Sequence, residues 1–151
     1  MRTRAAAIFH RRIAKALKES AAAVQEEARQ NHKFTTRTAQ FERSVETRIR
    51  GTAYAEVFLD TNVAKYAPFV HQGTKPHTIA PKEKKALRWV AGGRFVFAKW
   101  AHHPGTAADP FLYAALDNKQ GEIKRIFEKY TDDALDEVAR DVERKRYYWR
   151  R

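Results

Sequence analysis

The chain has 151 residues, 43% hydrophobic and 32% charged, a balance that allows one domain with a real core and excludes disorder throughout. It has no cysteine, which excludes a disulfide framework, a thiolate nucleophile and a cysteine-ligated zinc site. The formal charge is +12 and the pI near 10.1, a field that favours polyanions: nucleic acid, an acidic protein surface or anionic lipid.

The N-terminus starts basic, with Arg2 and Arg4, but His10, Arg11 and Arg12 interrupt its apolar run before it reaches signal-peptide length. No window approaches the roughly 18 apolar residues of a membrane span, so a soluble, non-secreted protein is expected. From about Thr3 to Gln30, Phe9, Ile13, Leu17, Val24 and Ala28 recur at helical spacing, and Ala21, Ala22 and Ala23 add helix propensity. Asn31 and His32 end that pattern, and the polar, threonine-rich stretch from Lys33 to Gln40 reads as a loop.

Ser44 to Arg50 alternates, with Val45, Thr47 and Ile49 on one side and charges on the other, which predicts a strand with one wet face. Gly51 punctuates it, and Tyr54 to Leu59 is the expected hairpin partner. Val63 to Gln72 fits a helical turn or two ended by Gly73, and Thr78-Ile79 before Pro81 a short edge strand. Ala86 to Val90 and Arg94 to Ala101, joined by Ala91-Gly92-Gly93, predict a second hairpin, because glycine tolerates the positive φ of tight turns.

Helical spacing returns after Pro110, through Leu112, Leu116, Ile123, Phe127 and Tyr130, then Leu135, Val138 and Val142 beyond a polar break at Thr131-Asp132-Asp133. Asp109 suits an N-cap and Pro110 the first helical position. The expected fold is therefore a single α+β domain over 1–151. An N-terminal helix (1–30) and a C-terminal helical region (110–149) pack on a curved antiparallel sheet with a projecting hairpin (44–101).

No catalytic constellation emerges. His71, His77, His102 and His103 crowd one region, but His102 and His103 point to opposite faces on a strand, and no carboxylate or cysteine completes a metal set. The only serines, Ser20 and Ser44, lie outside any Gly-x-Ser-x-Gly elbow. Gly73, Gly92, Gly93 and Gly105 do not build a phosphate-binding loop, and Asp109 is remote from other carboxylates. We therefore expect no enzyme, no cofactor and no metal. The tail Lys145-Arg146-Tyr147-Tyr148-Trp149-Arg150-Arg151 mixes cations and aromatics, which suits docking on a neighbouring subunit or gripping nucleic acid.

The most specific pattern is the order of motifs from Tyr66 to Leu112: Tyr66-Ala67, Val70-His71-Gln72-Gly73-Thr74, His77-Thr78-Ile79-Ala80-Pro81, the lysine-rich approach Lys82 to Trp89, the Gly92-Gly93 turn, His103-Pro104-Gly105-Thr106 and Pro110-Phe111-Leu112. With Thr38-Ala39-Gln40-Phe41-Glu42-Arg43-Ser44-Val45 upstream, this order resembles the tailed-bacteriophage tail-component family named after gene product ten of the Hong Kong lambdoid phage. Ala39 stands where the family has glycine, and Gln72 where many members have another residue.

The resemblance implies an α+β, non-catalytic structural protein of the virion, at the head–tail junction or proximal tail. It implies a tail-completion or head–tail joining subunit that forms a ring between connector and tail tube and resides in the host cytoplasm during assembly. Partners would be copies of itself and neighbouring neck, connector or tail-terminator proteins. The basic ends would face DNA in the channel or acidic protein, and no membrane partner is implied. Expected subunit contacts are Gly73, Thr74, Phe95, Phe97, His103, Pro104, Gly105, Thr106, Tyr147, Tyr148 and Trp149. The alternative from composition is a basic nucleic-acid-binding module.

Overall fold

Thr3 caps the first helix, its hydroxyl accepting from the Ala6 N–H at 3.3 Å, and α1 runs Arg4–Gln30 in the computed structural model, which describes residues 3–33 and 39–149. By its contacts the chain forms two compact units, Met1–Ala67 with Pro110–Arg151 and Pro68–Asp109.

In the first unit α1 lies antiparallel along α4 (Phe111–Trp149), the most extensive packing between two elements in the chain. Alanine makes the close approach possible: Ala16, Ala28 and Ala134 are fully buried in this unit. Charge then lines the seam. Arg12 reaches Glu137 at 2.9 Å and Asp133 at 3.2 Å, Arg4 reaches Asp141 at 3.0 Å, and Arg11 also bonds Glu137. Further along, Tyr130 donates to Glu19 at 2.7 Å, and Asn118 donates to Glu27 at 2.9 Å. Their partners hold Glu137 and Glu27 below the usual carboxylate range: bonds from Arg11 and Arg12 in the first case, from Asn118 and Asn31 in the second.

The expected polar break at Thr131-Asp132-Asp133 does not occur, and α4 is continuous through it. The Thr131 hydroxyl donates back to the Phe127 carbonyl at 2.8 Å, Asp133 serves Arg12, and Ala134 is fully buried, so tertiary packing outweighs weak local propensity. The helix begins at Phe111, its first turn accepted by the Pro110 carbonyl at 3.1 Å, one residue later than expected.

A short helix α2 (Gln40–Ser44), unforeseen from the pattern, precedes β1 (Val45–Arg50), so Ser44 ends a helix and does not start the strand. It exists to bury Phe41, whose ring lies 5.2 Å from that of Phe111 and 6.2 Å from those of His32 and Tyr66. The loop expected from Lys33 to Gln40 falls largely on residues 34–38, outside the described residues. β1 pairs with β2 (Tyr54–Leu59) from Val45↔Leu59 to Arg50↔Tyr54, as the alternation predicted. Gln25 and Arg29 of α1 both donate to the Val45 carbonyl at 2.7 Å and pin this hairpin to the helix.

The second unit holds most of α3 (Ala67–Gln72), then β3 (His77–Ile79), β4 (Leu87–Ala91), β5 (Arg94–Ala98) and β6 (Ala101–His103). β3 pairs with β6 and β4 with β5, both antiparallel. The class is α+β, with the pairing shared among three two-stranded ladders in place of one continuous sheet among the described residues. The run expected as one strand from Arg94 to Ala101 is two, β5 and β6, which pair with different partners. No helix among the described residues is long and apolar enough to cross a membrane.

Candidate assembly surfaces

The two Gly-Thr segments, far apart in sequence, meet backbone to backbone. Thr74 N–H donates to the Thr106 carbonyl at 2.9 Å, Thr106 N–H returns the bond at 3.1 Å, and the Thr74 hydroxyl accepts from Thr106 N–H at 3.0 Å. Each glycine allows the other segment to approach. A Cβ on Gly73 (φ 74°) would stand 2.7 Å from the Thr106 carbonyl oxygen, and one on Gly105 (φ 90°) would stand 2.2 Å from that of Thr74. Gly73, Thr74, Gly105 and Thr106 thus form a clasp whose backbone groups serve one another.

Histidines flank the clasp with defined tautomers. His103 Nδ1 accepts from Gly105 N–H at 3.1 Å, so its proton sits on Nε2, while His77 Nδ1 lies 2.8 Å from the Lys75 carbonyl and must donate to it. Register places His77 opposite His103 with rings 5.1 Å apart, and His102, next along β6, falls on the other face. His71 is buried; burial holds its imidazole below the ordinary histidine range, against the opposing charge of Asp109. The described residues contain no group of three or more His, Asp or Glu arranged to hold a metal ion.

The β4–β5 hairpin turns on Gly92 and Gly93, at φ 56° and 77°, the paired positive φ of a type I′ turn. Its register, Arg88↔Phe97 and Val90↔Phe95, puts those four side chains on one face, with Trp89↔Val96 on the other. Val90, Phe95 and Phe97 are 62%, 63% and 66% exposed, and the Arg88 guanidinium sits 4.9 Å from the Phe95 ring centre. At the hairpin's base an open groove of about 750 Å³ runs from Pro81 to Arg88 and is closed by Phe97.

The expected contact residues therefore divide. Phe95 and Phe97 present their rings to solvent, the clasp residues use their backbones internally, and Pro104 is exposed beside them. Tyr147, on α4, is 58% exposed; the side chains of Tyr148 and Trp149 lie outside the described residues. Val90 and Arg88 were not foreseen as members of this face. The Gly-Gly turn carried the signal, because a two-residue loop sets the register and hence which residues share a side. Comparison with protein-family models, curated proteins and solved structures yields no match.

Proposed function

We propose that the chain is a structural subunit of the neck of a tailed phage, a tail-completion or head–tail joining protein that acts by assembling as a ring between connector and tail tube, without catalysis. The carrying observation is the hairpin face of Val90, Phe95 and Phe97, each more than half exposed on a two-stranded element. An isolated hairpin is marginal in water, and clustered exposed aromatics are the residues that anchor protein interfaces. The motif order from Tyr66 to Leu112 supports the same reading. So does Ala39, which stands at a family glycine position and holds φ 53°, a conformation that favours glycine.

Light scattering with electron microscopy of the purified chain tests this reading, together with localisation in the particle. Closed rings, and density for the chain at the head–tail junction, are expected. Monomers at every concentration, with no copy at the junction, would refute it. A second reading, nucleic-acid binding, draws on the net charge of +12 and on Arg88, which lies over the Phe95 ring of the hairpin. A duplex-binding titration in rising salt separates the two, since phosphate contacts lose affinity steeply with salt.

A further inference from the structure

We propose that the β4–β5 hairpin of one copy docks head to tail on the outer face of α4 of a second copy. The inference rests on the ring reading above and names the two surfaces that would build the ring.

The acids of α4 fall on two sides. Asp133, Glu137 and Asp141 face α1 and are matched by its arginines. Glu128, Asp132 and Asp136, spaced four residues apart, share another side, and all three are exposed. Asp132 and Asp136 make no ion pair among the described residues, and Glu128 has only a long one, 3.8 Å, with Lys124. At the same spacing exposed Lys124 and Arg140 bracket the row, and its three acids lie together between them.

Apolar surface accompanies this row. Leu135 and Val142 are 53% and 51% exposed, and an open hollow of about 450 Å³ lined by Lys124, Phe127, Glu128, Thr131 and Asp132 lies at its N-terminal end. The hairpin is the complement. It presents an apolar face that carries Arg88, with Arg94 on the opposite face beside Trp89, and the two strands and their turn contain no carboxylate. A cation and aromatics on one surface thus match acids, aliphatics and a hollow on the other. Two hairpins brought face to face would oppose like charges, which disfavours the symmetric alternative. Contact between unlike surfaces is heterologous and closes into a ring when the rotation per subunit allows.

The test uses two full-length variants, Phe95→Ser/Phe97→Ser on the hairpin and Asp132→Lys/Leu135→Ser on α4. All four positions are exposed, so each variant should keep the wild-type circular dichroism and melting temperature. In sedimentation velocity each alone should associate at least about tenfold more weakly than wild type. Mixed in equal amounts they should form a dimer and stop there, because each retains the one surface the other lacks.

Wild-type assembly by the α4 variant would overturn the inference while leaving the ring reading standing, with the hairpin seated on another hairpin or a foreign protein. A mixture that stays monomeric would overturn it in the same way. A wild-type chain that never associates would remove the ring reading itself, and this inference with it.

Discussion

Replacing Gly105 by alanine separates the clasp from an ordinary turn. A Cβ there would lie 2.2 Å from the Thr74 carbonyl oxygen, 3.0 Å from the Lys75 carbonyl carbon and 3.1 Å from Pro76 N, all backbone atoms that no side-chain rotation can clear. The left-handed conformation at φ 90° adds about 1–2 kcal/mol for any residue with a Cβ. Relief of the clash requires the segments to separate, which puts at risk three hydrogen bonds between Thr74 and Thr106, each worth about 1 kcal/mol net. The expected loss is roughly 3–5 kcal/mol for this local structure.

Gly92→Ala is the control, because it carries a positive φ of 56° with nothing within 4 Å of its Cβ and should lose only about 1–2 kcal/mol. Hydrogen exchange at the Thr74 and Thr106 amides, alongside urea melts, reads the difference. Equal losses in the two variants with unchanged exchange at both amides would refute the clasp.

Three further outcomes are expected. Phe41→Ala should destabilise the chain by about 3–5 kcal/mol in urea, since Phe41 is 1% exposed and packs its ring against Phe111. Ala39→Gly should be neutral or stabilising by up to about 1 kcal/mol in the same assay, because relief at φ 53° outweighs the added freedom of the unfolded chain. Glu137 has a folded pKa below its unfolded value, so its contribution is complete above about pH 4.3 and is lost as pH falls through the folded value. Melting temperatures across about pH 2.5–6 should therefore fall less steeply on acidification for Glu137→Gln than for wild type; parallel curves would count against the pairing with Arg11 and Arg12.

Much of this fold is legible residue by residue. The spacing of Phe9, Ile13, Leu17, Val24 and Ala28 is that of α1, the alternation from Val45 to Ile49 is that of β1, and Gly92-Gly93 marks the hairpin turn. These features are local: a helix periodicity, a pleat and a positive φ each depend on a few neighbouring residues, and the amino-acid types there record them directly. The α+β class follows from their order along the chain.

Tertiary structure decided the rest. Thr131-Asp132-Asp133 has the composition of a helix stop and stays helical because Arg12 and the packing of α1 lie across it. Gln40–Ser44 is too short to show a period and is helical where Phe41 is buried against Phe111. Thr74 and Thr106, 32 positions apart, look like separate loop punctuation until they bond to each other. Exposure itself is of this kind: Phe95 and Phe97 are expected at contacts between subunits, and their exposure of 63% and 66% is a property of the folded hairpin that no local pattern states. Burial and long-range pairing depend on which surfaces meet after distant segments close on one another, and no window of neighbouring residues carries that information.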